Sequence, residues 1–152
     1  MVPELMLKVI RFSMLIVVLS IGALSCSTVS TSERGSATPR LAVIMGISEY
    51  LQMPITLQLD ASNTYQNWAY LSGFPLTLEG NPIDYRLTPL SKDFEEGFVD
   101  DNFAALVRFA EDGSNGWELV ELSVGATDAP FIGWLEQYSL PASLIENMVE
   151  KR

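Results

Sequence analysis

Hydrophobic and polar positions alternate along the middle of the chain as they do in β-strands. In Ile55–Ala61, apolar side chains occupy the odd positions and polar side chains the even ones. Because successive side chains of a strand point to opposite faces, this pattern predicts a first strand with one face on a core. Its odd positions, Ala61 included, are expected to face that core. A turn is expected next, at Ser62-Asn63-Thr64.

Four later segments also have the composition and spacing of strands. They are Asn67–Phe74, Ile83–Leu87, Phe103–Ala110 and Trp117–Val124. Gly73 favours a bulge or an edge position near the end of the second strand. The last strand has apolar residues on both faces, which predicts a central place in the sheet. The two glycines of Glu111–Gly116 favour a hairpin connection before it.

Helical spacing occurs at both ends of this series of strands. Leu41–Gln52 fits either a short helix or a buried strand, and the helix is preferred. Asp128 is expected to cap a second helix, which carries apolar side chains at i, i+3, i+4 and i+7. A last short helix is expected from Pro141. Together the elements predict an α+β domain: a meander of about five antiparallel strands with C-terminal helices packed on it.

The first 26 residues have the organisation of an export signal. Lys8 and Arg11 precede the apolar run Met14–Leu19, and no charged residue follows Arg11 before Glu33. Secretory signals have such a basic region, an apolar core of about 7–15 residues and small residues at the cut. We therefore interpret residues 1–25 as a signal peptide. The serine- and threonine-rich residues 26–40 are expected to form a flexible tether, and residues 41–152 a single domain.

The segment Gly22-Ala23-Leu24-Ser25-Cys26 resembles the lipobox of bacterial lipoproteins. In that family a diacylglycerol is attached to the cysteine, the signal is cut just before it, and the new amino terminus is acylated. Ala23 departs from the leucine that the family favours at this position. The resemblance implies that Cys26 is lipidated and anchors the protein in the cell envelope. By the rule for enterobacterial lipoproteins, Ser27 implies the outer membrane, facing the periplasm.

Two other interpretations of the same stretch remain open. An ordinary signal peptidase could cut near Ala23 to Ser25 and release a secreted protein. Phe12–Val29 could instead stay uncut as a membrane anchor, since a spanning helix needs about 20 residues. The single cysteine of the chain favours lipidation. It can form no internal disulfide, and an unpaired thiol is a liability in an oxidising compartment.

Charge and residue usage narrow the classes of function. The chain has 152 residues, a net charge of −10 and no histidine. Loss of residues 1–25 removes one of 19 acidic and two of nine basic residues, which leaves a net charge near −11. Nucleic acid and anionic headgroups are disfavoured as partners because they too are polyanions. Without histidine, and with Cys26 acylated, no zinc site is expected.

A long acidic loop is expected from Thr88 to Asn102. It holds five carboxylates within nine residues: Asp93, Glu95, Glu96, Asp100 and Asp101. Calcium takes oxygen ligands from flexible loops, so a Ca²⁺ site is one interpretation of this segment. A solvated loop of like charges is the other. Asp112–Gly116 also has a slight similarity to a calcium loop, but a plain hairpin turn is the preferred interpretation.

Aromatic residues supply the other candidate site. Trp68, Tyr70 and Trp134 either line a ligand surface or belong to the core, as aromatic side chains in strands and helices commonly do. The expected function is a lipid-anchored binding or accessory module with an envelope protein as partner. The alternative is a small carboxylate-dependent hydrolase or lyase, in which Asp93 or Glu96 would act beside a second acid in a cleft.

Three blocks together resemble small exported proteins of bacteria that have no established activity. They are Asn67–Leu71 before Gly80-Asn81-Pro82, Ala105–Arg108 before Gly116–Val120, and Val124–Asp128 before Trp134 and Pro141. The resemblance covers roughly residues 65–145 and implies no catalytic residue. A half-wrapped sheet of the cystatin-like or NTF2-like kind also suits these strands.

Overall fold

The computed structural model describes residues 36–110 and 116–145. Contacts divide the chain into two units, Met1–Ser30 and Thr31–Arg152, and every described residue belongs to the second. The signal, the tether up to residue 35, the connection at 111–115 and the last residues from 146 onward lie outside the described residues. The lipidation residue Cys26 is among them.

The described residues form a single antiparallel sheet with helices before and after it. In chain order the elements are α1 (Pro39–Leu51), β1 (Thr56–Tyr65), β2 (Trp68–Leu76), a 3-10 turn (Tyr85–Leu87), α2 (Ser91–Glu95), β3 (Phe103–Phe109), β4 (Trp117–Val124), α3 (Phe131–Gln137) and a second 3-10 turn (Ala142–Leu144). The strands follow one another across the sheet in the order β1-β2-β3-β4. The predicted α+β meander is therefore present, with four strands where five were expected.

The ambiguous segment after the tether is the helix α1. Thr38 precedes it in an extended conformation, and its side chain accepts a hydrogen bond from the backbone N–H of Leu41 at 3.1 Å. Pro39 occupies the first turn, where its missing N–H costs nothing. Val43, Ile47 and Leu51 are buried on one face. The helix thus begins inside the range that was expected to be tether.

The first hairpin is longer than predicted. β1 stays paired with β2 up to Tyr65 opposite Trp68, so the turn consists of Gln66 and Asn67. The prediction of a turn at residues 62–64 is wrong. The side chains of Ser62 and Thr64 face solvent while their backbone continues the ladder, which an edge strand allows.

A β-bulge interrupts β1 opposite Gly73, whereas the sequence predicted a bulge or an edge position within the second strand itself. Leu59 lies opposite Gly73 and Ala61 opposite Ser72, so Asp60 is an extra residue on the β1 side. Gly73 has a φ of +151°, and a Cβ there would collide with the carbonyl oxygen of Gln58. Only glycine fits so close to the bulged backbone. The extra residue also moves Ala61 to the sheet face opposite Leu59, so the expectation that both face one core is wrong.

The predicted third strand, Ile83–Leu87, is absent, and a 3-10 turn occupies Tyr85–Leu87. The Asp84 carboxylate accepts hydrogen bonds from the backbone N–H of Arg86 at 3.2 Å and from its guanidinium at 2.8 Å. Such local bonds offer the backbone an alternative to a strand ladder. Leu87, which was expected to face the core, is 83% exposed.

The last strand, β4, is an edge strand rather than a central one. Its side chains are half-buried because other elements cover both of its faces. On one face Gly46 of α1 lies against the side chain of Leu119. On the other, the Glu121 carboxylate accepts a hydrogen bond from the Tyr138 hydroxyl at 2.7 Å. β4 also contains a bulge at Val120, which has no partner in the register with β3.

The sheet separates two apolar clusters. The first lies between α1 and the sheet and contains, among others, Val43, Ile47, Leu57, Leu71, Tyr85, Phe103, Ala105 and Val107. The second lies on the opposite face and contains Tyr70, Ala104, Leu106, Leu144 and Ile145. Alternation along β2 and β3 directs successive side chains into one cluster and then the other. Both faces of the central strands are therefore buried.

Side chains of α3 contact the second cluster, namely Phe131, Trp134, Leu135 and Tyr138. These are the four residues whose spacing predicted a common face. The helix starts at Phe131 after Pro130, with no side-chain cap. The prediction of Asp128 as its N-cap is therefore wrong. Asn63 of β1 donates a hydrogen bond to the carbonyl of Leu144 at 2.9 Å and joins the C-terminal segment to the sheet.

The close approach at Gly73 leads to a first prediction. We expect Gly73→Ala to lower the free energy of unfolding by more than about 1 kcal/mol, because alanine would meet both the Gln58 carbonyl and an unfavourable φ. Gly133→Ala in α3 is the matched control. No atom lies within 4 Å of a Cβ at that site, so alanine should stabilise the helix by about 0.5–1 kcal/mol. Urea melts measure both, and an unchanged Gly73→Ala variant would contradict the bulge packing.

Candidate functional site

The predicted ligand-surface residues Trp68, Tyr70 and Trp134 come together in the second apolar cluster. Tyr70 is 1% exposed, and its ring contacts that of Phe131 with centroids 5.8 Å apart. The Trp68 ring lies 5.1 Å from the ring of Tyr138. Trp134 is half-buried against the same cluster. In the structure these rings therefore contact side chains of the C-terminal segment.

Charged side chains at the rim of this cluster pair with one another. The Arg108 guanidinium lies 5.6 Å from the centroid of the Trp68 ring, a cation–π distance, and 3.8 Å from the Glu118 carboxylate. The hydrogen bond to Glu121 raises the pKa of the Tyr138 hydroxyl. These contacts join the neighbouring strands β3 and β4 and link β4 to Tyr138 at the end of helix α3.

The acidic segment is not the structureless loop that was expected. It contains the helix α2, which is followed by the C-cap residue Glu96 and by Gly97 with a φ of +80°. The N–H of Phe98 donates to the carbonyl of Asp93 at 2.9 Å, and the N–H of Gly97 donates to that of Phe94 at 3.0 Å. These two bonds form a Schellman cap. The backbone of the segment is therefore held in one conformation.

The five carboxylates of this segment are all exposed: Asp93, Glu95, Glu96, Asp100 and Asp101. Within residues 36–110 and 116–145, no three acidic or cysteine side chains are grouped closely enough to hold a metal ion. Glu96 forms an ion pair with Lys92 at 3.8 Å, one turn away. The structure thus spreads the predicted calcium ligands over an exposed surface.

Exposed apolar side chains lie among these carboxylates, a feature that the sequence patterns did not indicate. Leu87 is 83% exposed, Phe98 64% and Phe94 36%. We call Leu87, Asp93, Phe94, Glu95 and Phe98 the α2 surface. Its apolar members lie on consecutive structural elements, the first 3-10 turn, α2 and the cap of α2.

Tyr85 fixes the α2 surface to the core. The residue is fully buried in the first apolar cluster, and its ring lies 5.8 Å from the ring of Phe94. Its hydroxyl oxygen has no hydrogen-bond partner in the described part of the chain. Burial, and secondarily the Asp101 carboxylate, raises the pKa of Tyr85 to about 12. The Phe94 ring therefore packs on a fully buried side chain.

The α2 region carries an excess of negative charge. Residues 77–102 contain seven acidic and two basic residues, a net charge of −5. Both basic side chains have partners within the segment, Arg86 at 2.8 Å from Asp84 and Lys92 at 3.8 Å from Glu96. No ion pair within the described ranges involves Asp93 or Glu95. The region thus presents free negative charge beside exposed rings.

A shallow depression of about 440 Å³ lies at the other end of the sheet, between the β1–β2 turn and the adjacent ends of β3 and β4. Gln66, Asn67, Phe109 and Trp117 line it. None of these four side chains titrates near neutral pH. The lining therefore supplies no acid–base pair of the kind that a carboxylate-dependent hydrolase or lyase needs.

Comparisons with known proteins return no match to any protein-family model, curated protein or solved structure. None of the described helices is long and apolar enough to cross a membrane. Two features of the protein therefore bear on its function: the N-terminal sequence and the α2 surface.

The spread of the acidic side chains leads to a prediction about calcium. We expect about 10 mM CaCl₂ to raise the melting temperature no more than NaCl of equal ionic strength, because ion binding stabilises a fold only where a site holds the ion. Differential scanning fluorimetry measures this. A larger rise with calcium that Asp100→Asn together with Asp101→Asn abolishes would instead establish a cation site.

The buried tyrosines lead to a prediction about alkaline pH. Burial raises the pKa of Tyr70 to about 12, partly offset by the Ser72 hydroxyl, and the pKa of Tyr85 is also about 12. The unfolded chain releases these protons near the ordinary pKa of about 10, before the folded protein does. Stability that is fully present below pH 10 should therefore fall as the pH rises from about 10 to 12.

Tyr85→Phe should weaken this loss of stability. At neutral pH it should be neutral or stabilising, because it removes a buried hydroxyl that has no partner among the described residues. Tyr50→Phe, at a 49% exposed site, is the control. Urea melts at several pH values measure the effect. Identical pH dependence in wild type and Tyr85→Phe would contradict the prediction.

Proposed function

We propose that the protein is a lipid-anchored component of a bacterial cell envelope whose folded domain is a binding or accessory module. Acylated Cys26 is the anchor, and the outer membrane facing the periplasm is the proposed location. Support for the anchor comes from the basic and apolar signal that ends on the chain's single cysteine. Support for a binding role comes from the α2 surface.

The exposed apolar side chains of the α2 surface are the observation that carries the binding role. The same domain buries apolar side chains in two clusters, yet leaves Leu87 and Phe98 mostly in water. Grouped exposed apolar side chains rimmed by polar ones mark interaction sites, whereas single ones need no explanation. We further propose that α3 and the last 3-10 turn form the layer that covers the second face of the sheet.

The length of the tether limits where the module acts. Ser36 and Trp117 exchange two backbone hydrogen bonds of 2.8 Å, so the folded part begins no later than Ser36. Nine residues, 27–35, separate this position from Cys26. An extended chain spans at most about 3.3–3.6 Å per residue, so Ser36 would lie within about 35 Å of the lipid-bearing residue. A partner of the module would thus be met close to the membrane.

The proposal is tested at the lipid anchor on Cys26. Stable anchoring needs two or more acyl chains, each contributing about 0.8 kcal/mol per buried methylene. The lipoprotein resemblance implies three chains on Cys26. We expect Cys26→Ser either to release the protein from membranes or to leave an uncut precursor, while Ser27→Ala, the control, keeps a lipidated protein.

Mass spectrometry of the wild-type amino terminus decides among the alternatives. An acylated Cys26 supports the proposal. A free terminus near Ser25 would identify an ordinary secreted protein. An intact Met1 with the apolar run retained would identify a spanning anchor. Either of the last two results would overturn the lipid anchor.

A further inference from the structure

We propose that the α2 surface binds a basic segment of an envelope protein whose cationic side chains alternate with apolar ones. This inference deepens the proposed function and rests on its binding role. The surface offers two kinds of contact at once, exposed rings and unpaired carboxylates, and the chemistry of the partner follows from that combination.

The fold positions the apolar side chains of the α2 surface before a partner binds. Phe94 packs on the fully buried Tyr85 with ring centroids 5.8 Å apart, and the Schellman bond from the N–H of Phe98 to Asp93 fixes the chain beyond α2. Leu87 follows Tyr85 by two residues in the same 3-10 turn. A partner therefore meets side chains whose backbone is already ordered, which lowers the entropic cost of binding.

The negative charges of the α2 surface favour a positively charged partner. Arg86 and Lys92, the basic residues of the region, already pair with Asp84 and Glu96. Asp93 and Glu95 flank Phe94 in sequence. Neither forms an ion pair in the described ranges, although Glu95 interacts electrostatically with Arg86. A cationic segment would complement them, and complementary charge mainly sets specificity and the association rate.

The same charges disfavour two other occupants. A second copy of this chain would bring a net charge of −10 against the same acidic surface. Anionic lipid headgroups would be repelled for the same reason. A basic protein segment with apolar side chains satisfies both the rings and the carboxylates, so it is the occupant that the surface fits.

The test uses the full mature protein in lipid discs of zwitterionic lipid and a fluorescent peptide of alternating lysine and leucine. A lysine–serine peptide of equal length has the same charge without the apolar side chains. A glutamate–leucine peptide has the apolar side chains with the opposite charge. Fluorescence anisotropy measures the dissociation constants. We expect the lysine–leucine peptide to bind at least about tenfold more tightly than either comparison peptide.

Variants locate the binding site. Leu87→Ser with Phe98→Ser, and separately Asp93→Asn with Glu95→Gln, should each weaken the lysine–leucine peptide at least about tenfold. Ile132→Ser, at a 63% exposed site on α3, is the apolar control. Glu49→Gln with Glu136→Gln, both exposed acids on other helices, is the charge control. Both controls should stay within about twofold of wild type.

Equal binding by all variants, or equal binding of the lysine–serine peptide, would overturn the proposal. All substituted side chains are exposed, so unchanged melting temperatures are expected and would exclude unfolding as the cause of a loss. The anchor is tested separately by the mass of the amino terminus. An acylated Cys26 with no peptide selectivity would remove only the docking proposal. Selective binding by a chain that is not acylated would remove only the anchor.

Discussion

The central strand β3 constrains the rest of the structure because both of its faces are buried. Five consecutive residues, Phe103–Val107, are buried, and alternation sends them to opposite sides of the sheet. Two covering layers are therefore needed, and they come from opposite ends of the described chain. Helix α1 covers one face, and side chains of α3 and the last 3-10 turn contact the other. Ordering of the domain thus requires segments that are distant in sequence to meet on one strand.

Local patterns predicted the elements whose side chains simply follow the period of their backbone. β2 and β3, β1 up to Leu59, and the apolar faces of α1 and α3 belong to this group. Errors arose where tertiary contacts decide the outcome. β4 lies at the edge of the sheet, yet α1 packs on one of its faces and Tyr138 contacts the other, so its pattern resembles that of a central strand. At Tyr85–Leu87 the alternation of apolar and polar residues is too short to distinguish a strand from a turn. The Asp84 side chain stabilises the turn by a hydrogen bond to the backbone.

The candidate site was only partly accessible to sequence reasoning. Counting carboxylates located the acidic region correctly, but it could not show whether they converge, since that depends on the path of α2. The sequence pattern singles out the aromatic residues as a candidate site, yet their burial depends on where the C-terminal segment packs. Leu87 illustrates the remaining difficulty. Its spacing from Ile83 and Tyr85 is that of a core position, and only the 3-10 geometry turns it into solvent.

The two bulges in the sheet have a consequence for crowding. Asp60 in β1 and Val120 in β4 each break the regular ladder of an edge strand, and irregular edges resist addition of strands from another molecule. Under the proposed lipid anchor, copies of this protein would share a surface rather than a volume, so edge-to-edge encounters would become frequent. Ser36 shields one further position by pairing with Trp117. A sheet with such edges can stand densely beside its own copies without joining them into a continuous ribbon.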